Sequence, residues 1–352
     1  MKKYKWKAVV SAAAVLIIFT LTAVYFQIIK KPFEVNSGIA VHHLTFRGHT
    51  DRLWEAAFSP DGEILASAAV DGEAQIWRKA DGQIIHTLKH PAGLTGIEFS
   101  PDGKMLATCG YDSNITLWRV ADGSLLKIFS GGGKTVWDVA FSPDGKTLAS
   151  GGEDAVVKLW NIAEGTLLRA FEGHSLNVWS VAFSPDGQQL ASGSFDTSVK
   201  IWNTSDGRLL RTLSGHTQAV LSVTYSRDGK YLASSGDDST ARLWNAADGS
   251  LITVFREQSE HIYSVAISPD ASWLLTGGRD RNTFGELIQN FFGASETNRW
   301  VTVRLWKLDN GKLAQTFSQH SNDVFSVAFA PDGKWLASAS EDKTVNVWQL
   351  MP

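Results

Sequence analysis

The chain is 352 residues long, with 43% hydrophobic and 20% charged side chains, which excludes a disordered bulk and allows a sizeable buried core. Its 33 basic and 36 acidic residues leave a net charge of −3, so no global field favours a polyanion, and nucleic acid is not the expected partner. The single cysteine, Cys109, can make no intramolecular disulfide and no thiolate metal centre by itself; it reads as a small buried hydrophobe, and no metal or cofactor is expected.

From Ala8 to Ile29 the chain runs 22 residues without a charge. A helix over 8–29 would reach about 33 Å, enough for a hydrocarbon core of roughly 30 Å. Lys2, Lys3, Lys5 and Lys7 precede the run, while Lys30 and Lys31 follow it, which predicts a cytoplasmic N-terminus and an extracytoplasmic remainder. Residues 1–31 are expected to be a basic tail and a transmembrane signal anchor, and residues 32–38 a linker. A cleaved signal peptide releasing a secreted protein is the alternative; the length of the apolar run and the lack of an A-x-A site oppose it.

The remaining sequence repeats. Ser59-Pro60-Asp61-Gly62 recurs in seven units spaced by about 42 residues, ending with Ala330-Pro331-Asp332-Gly333. Within a unit apolar residues alternate in short runs, as in Val178 to Phe183, Leu190 to Ser194, Val199 to Trp202 and Leu209 to Leu213, which predicts four strands per unit. Proline at the second turn position and glycine at the fourth suit a tight hairpin, and pairs such as Asp81-Gly82 and Asp206-Gly207 close a second one. Four strands cannot bury both faces alone, so the units are expected to pack radially as blades. Residues 41–49 match a fourth strand and precede the first three-strand set, whereas the chain ends one strand short after Trp348. Strand 39–46 is therefore expected to complete the last blade and close the ring.

Five units carry a histidine, a hydroxyl, an aspartate and a tryptophan at constant spacing: His49, Ser67, Asp71, Trp77; His90, Thr108, Asp112, Trp118; His174, Ser192, Asp196, Trp202; His216, Ser234, Asp238, Trp244; and His320, Ser338, Asp342, Trp348. A single such set would suggest nucleophilic catalysis, but repetition at constant spacing argues for scaffolding, and no catalytic residue is assigned. The third unit has Gly132 and the sixth Gln258 in the histidine position, so those blades are expected to be looser.

On these seven in-register units, residues 39–350, the chain resembles the WD-repeat β-propeller family. The resemblance implies an all-β, seven-bladed propeller with four antiparallel strands per blade, in which each His, Ser or Thr, Asp and Trp set is a structural tetrad. It also implies that loop residues on the rim of the central channel contact partner proteins. The candidate contacts are Arg52, Trp54, Trp137, Trp179, Tyr263 and Phe325 near the histidine loops and Tyr111 and Phe195 beside the aspartates. On this same end the sixth unit carries an insertion, 283–302, where Phe284, Leu287, Ile288, Phe291 and Phe292 follow a helical stripe, and Phe284 and Phe291 join the candidate set. The expected function is a membrane-tethered, non-enzymatic scaffold that binds a protein or peptide. The alternative, an enzyme or small-ligand sensor in the channel, would need charged side chains in the innermost strands, which read mainly as Val, Ala, Phe and Ser.

Overall fold

A computed structural model describes residues 38–131, 133–256, 260–279 and 303–351. Among them, twenty-eight strands form seven antiparallel four-stranded sheets, and the contacts divide the chain between Gly38 and Ile39. Blades 1 to 6 take residues 53–89, 94–130, 136–171, 178–213, 220–255 and 262–317, and blade 7 takes 324–350. The insertion 283–302 and the apolar run 8–29 lie outside the described residues; among those described, no helix is long and apolar enough to cross a membrane.

The turns follow their residues. Gly62 adopts φ 71° at the end of the first S-P-D-G turn, a left-handed conformation that glycine reaches without a Cβ clash. The Ser59 hydroxyl donates to Asp61 at 2.5 Å, and Asp61 accepts the Glu63 N–H, so the turn is held by its own side chains. In blade 6 Ala271 stands in the glycine position and still takes φ 56°.

A blade is too thin to hold a core of its own, and the apolar residues lie instead as seven pads, one at each interface between neighbouring blades. The pad between blades 7 and 1 contains Phe46, Leu53, Leu65, Trp77, Val345 and Val347, all essentially inaccessible. Ring closure occurs here as expected. Ala40–Arg47 pairs antiparallel with the last strand, from Ala40 opposite Leu350 to Arg47 opposite Thr344. The Gln315 side chain of blade 6 accepts the Ala40 N–H at 2.9 Å and donates to its carbonyl at 2.8 Å. Phe46 stacks on Trp77 of blade 1 with centroids 5.4 Å apart. The closing strand thus bonds or packs against three blades, which no other outer strand needs to do to keep the ring shut.

Candidate functional site

Every innermost strand has a β-bulge at one position, between Leu53 and Glu55 in blade 1 and at the matching place in the other six. The extra residue of each bulge is Trp54, Thr95, Trp137, Trp179, Leu221, Tyr263 or Phe325, the predicted rim position. A bulge adds a residue outside the regular alternation and re-aims its side chain. Five of these are half-buried aromatics, while Thr95 and Leu221 are buried.

The rings converge. Trp137 and Trp179 stack at 4.1 Å and 20°, and Phe195 extends the stack at 5.1 Å from Trp179. Trp54 faces Phe325 at 4.4 Å and lies edge-on to both Trp137 and Trp179 at 6.3 and 6.0 Å. Tyr111 meets Trp137 edge-on at 5.9 Å and accepts the Trp54 indole N–H at 3.1 Å, while Tyr263 packs on Phe325 at 4.9 Å. All seven predicted aromatics of the described residues therefore form one connected mouth, with a pocket of only about 70 Å³ between them. The Arg52 guanidinium lies over Trp54 at 5.6 Å. Phe284 and Phe291 lie outside the described residues. Asp323, mapped to the same loop position as Arg52, is no free contact: it is 2% exposed and ion-paired with Arg279.

The repeated histidine sets are structural in geometry. In blade 4 the Trp202 indole donates to Ser192 at 2.8 Å, Ser192 lies 2.7 Å from His174 Nε2, and His174 Nδ1 lies 2.8 Å from Asp196. Blades 1 and 5 repeat this chain with His49 and His216. With the proton on Nδ1 the donors run in one direction, Trp to Ser to His to Asp, and every polar atom is matched. Ser67, Ser192 and Ser234 are inaccessible and already accept an indole N–H, so no substrate carbonyl can reach them. Burial pushes the Asp71, Asp196 and Asp238 carboxyls up, but hydrogen bonds from histidine, hydroxyl and backbone donors outweigh it and hold them below the usual carboxylate range.

Two predicted tetrads need correction. In blade 2, His90 bonds Thr108 at 3.0 Å but not Asp112. The loop residue after it is Pro91, which has no N–H, whereas Thr50, Ser175, Thr217 and Ser321 use theirs to anchor the aspartate. Burial, opposed only by the Asp112 charge, lowers the His90 pKa to about 4. In blade 7, His320 bonds Asp342 and Ser338, yet the Trp348 indole N–H has no partner. Asn346 sets its amide against the His320 ring and its oxygen on Thr45 and His42 of the closing strand, coupling that tetrad to ring closure.

Blade 3 lacks the histidine but not a partner for its aspartate. Lys158 donates to Asp154 and to the Gly131 carbonyl, each at 2.5 Å. The expectation of a looser third blade overlooked this lysine. Lys158→Met should lower stability by about 1 to 3 kcal/mol, because it leaves a half-buried carboxylate unpaired. A urea melt that shows no change would refute that role.

The channel holds what the sequence reading missed. Directly below the bulges the innermost strands present Glu55, Gly96, Asp138, Ser180, Ser222, Ser264 and Ser326. Four serines accept a backbone N–H of the next blade, at 3.1 to 3.4 Å. Glu55 does the same for Ile97 at 2.7 Å, and Asp138 for Val181 at 2.8 Å. At Gly96 an added Cβ would sit 2.7 Å from Cys109 Sγ, and Glu98, two residues on, accepts the Phe141 N–H instead. Seven side-chain bonds thus stitch the ring from inside, three of them through carboxyls that line a chamber of about 580 Å³. Burial raises Asp138 to about 6 and Glu98 to about 8, and lifts Glu55 well above the carboxylate range, with the Asp138 charge adding to both glutamates. The innermost strands are mainly Val, Ala, Phe and Ser, as expected, but three of them also carry these carboxyls. The available signal was the acidic residue after Trp54 and after Trp137.

Against known proteins, the family model described as WD domain, G-beta repeat matches residues 41–78, 82–119, 123–161, 165–203, 207–245, 249–283 and 311–349. Similar curated proteins include the target of rapamycin complex subunit wat1 of Schizosaccharomyces pombe, 46% identical over 50 residues that make up 14% of this chain and 16% of that protein. The nuclear distribution protein nudF of Emericella nidulans is 43% identical over 49 residues, 14% of this chain and 11% of that one. Each match spans less than a fifth of the relative's length. Seven matched repeats over seven observed blades show that the chain belongs to the WD-repeat family of β-propellers.

Proposed function

We propose that the aromatic mouth is a docking surface for a protein or peptide, that the propeller acts as a non-enzymatic scaffold, and that residues 8–29 hold it at a membrane with the propeller on the extracytoplasmic side. The observation that carries the docking reading is the convergence of seven partly accessible rings on one mouth. Aromatic side chains bury large area while losing few rotamers, and the rigid bulged strands hold them before a partner arrives. The name of wat1, a complex subunit, supports the same reading by likeness. The test is crosslinking and pull-down with the intact protein, with a Trp54→Ala, Trp137→Ala, Trp179→Ala variant and with a variant lacking residues 283–302. Loss of the triple mutant's partners at unchanged thermal stability is expected; equal recovery from all three proteins refutes the mouth. Alkaline carbonate extraction of membranes tests the anchor, and release into the supernatant overturns it.

The carboxyls in the chamber favour a second reading, a channel that binds a small ligand or performs catalysis. Each of the three already accepts a backbone N–H from the next blade. This engagement fits a role in the ring better than one in turnover.

A further inference from the structure

The inner stitching is asymmetric. The interfaces of blades 4 with 5, 5 with 6, 6 with 7 and 7 with 1 are held by serine hydroxyls, which do not titrate. Those of blades 1 with 2, 2 with 3 and 3 with 4 are held by Glu55, Glu98 and Asp138, on three consecutive strands around one arc of the channel. Ionised together, three carboxylates in a narrow chamber repel one another, and each also attracts the N–H that it holds. Protonated, a carboxyl keeps one acceptor oxygen for that N–H and gains an O–H donor for its neighbours or for channel water.

The groups facing this cluster add little positive charge. Strand 105–110 contributes Cys109, a fully buried thiol whose pKa burial and the Asp138 charge push up, and Asp112 follows in the next loop. From blade 4, Ser180 stands beside Asp138. From blade 5 come the Tyr225 hydroxyl, buried and without a partner, and Arg227 in the turn at the chamber's far end. Arg227 directs its guanidinium to the Pro331 carbonyl. Among the described residues, no cation therefore stands between the three carboxyls to neutralise them all.

We propose that Glu55, Glu98 and Asp138 form a proton-operated clasp, which draws blades 1 to 4 together when its carboxyls hold protons and loosens that arc, with the tryptophans above it, when they ionise. The link to the mouth is direct in the chain: Trp54 precedes Glu55 and Trp137 precedes Asp138, and the two rings meet across the axis at 6.3 Å. A shift of the arc changes the spacing of the rings that close the mouth. The clasp is a property of the ring itself; only its consequence for a partner rests on the docking reading, so the two can fail separately.

The direction of the shifts at Asp138, to about 6, and Glu98, to about 8, places the transition between those values. Amide hydrogen exchange of the intact protein, corrected for the intrinsic pH dependence of exchange, reads it without any partner. From about pH 5 to pH 9, protection at the Ile97, Phe141 and Val181 amides should fall about tenfold or more, while the serine-held amides of Val223, Val265, Val327 and Ala56 stay level. Glu98→Gln, which keeps shape and acceptor but cannot ionise, should reduce that fall. Near-ultraviolet circular dichroism of the stacked tryptophans should change over the same range. Uniform protection at all seven amides overturns the clasp, and so does a Glu98→Gln protein with an unaltered profile. An unchanged tryptophan spectrum beside a selective loss of protection overturns the coupling to the mouth.

Discussion

Phe46→Ala should lower the free energy of unfolding by about 3 to 5 kcal/mol, the range for truncating a buried aromatic, and should do so by more than Phe171→Ala. Both rings are essentially inaccessible, and each packs on a tryptophan: Phe46 on Trp77 and Phe171 on Trp202. Phe171 lies on a strand whose blade follows continuously in the chain, so its cavity remains local. Phe46 lies on the strand that joins the first residues of the propeller to the last, and it packs in the pad between blades 7 and 1. Loosening it weakens the seat of the closing strand, whose pairing with Thr344–Leu350 is, among the described residues, the one pair of sheet neighbours not consecutive in the chain, so the open state gains entropy that loss of Phe171 does not release. Urea unfolding of both variants decides the matter. Equal costs would show that closure depends on Val345, Val347 and the Gln315 bonds more than on Phe46. Removal of the whole strand should prevent a cooperative transition.

Asp238→Asn should cost about 2 to 3 kcal/mol at neutral pH, and the difference from the wild type should disappear in acid. Asp238 accepts the His216 ring, the Thr240 hydroxyl and the Thr217 N–H, and its side chain is 3% exposed. Its pKa is depressed in the folded protein: burial raises it, but the histidine and hydroxyl bonds lower it further. A depressed folded value means that the unfolded chain takes up a proton first as pH falls. The stabilisation is therefore complete above about pH 4, the ordinary aspartate range, and is lost progressively below it. Asp342, held down to about 2 by the same balance, should behave alike. The channel carboxyls carry the opposite sign, since their raised pKa lets the folded state keep protons that the unfolded chain has released. Their contribution is greatest at low pH and declines as pH rises through about 6 for Asp138 and about 8 for Glu98. Melting temperatures across pH should show two limbs, a rising one below about pH 4 softened in Asp238→Asn and a falling one that runs from the ordinary carboxylate range to about pH 8, softened in Glu98→Gln. A single limb, or limbs that both variants alter equally, would contradict the assignment of the two carboxyl sets.

The amino-acid sequence alone determined the number of blades, the strand order within each, the closing strand and the rim positions. These are local or periodic properties: alternation sets which face of a strand is buried, the turn residues set the hairpins, and seven copies repeat the same signal. Tertiary structure decided what depends on contacts between separate strands, loops and blades. Lys158 answers a missing histidine only because the fold brings it to Asp154 and the Gly131 carbonyl, and Asn346 reaches His320 and His42 at once only after the ring has closed. Glu55, Glu98 and Asp138 are about 40 residues apart in sequence and look like isolated strand charges there. Their meeting, and with it the upward pKa shift that their burial imposes, follows from rotational packing of the blades about one axis, a relation between units that no single unit encodes.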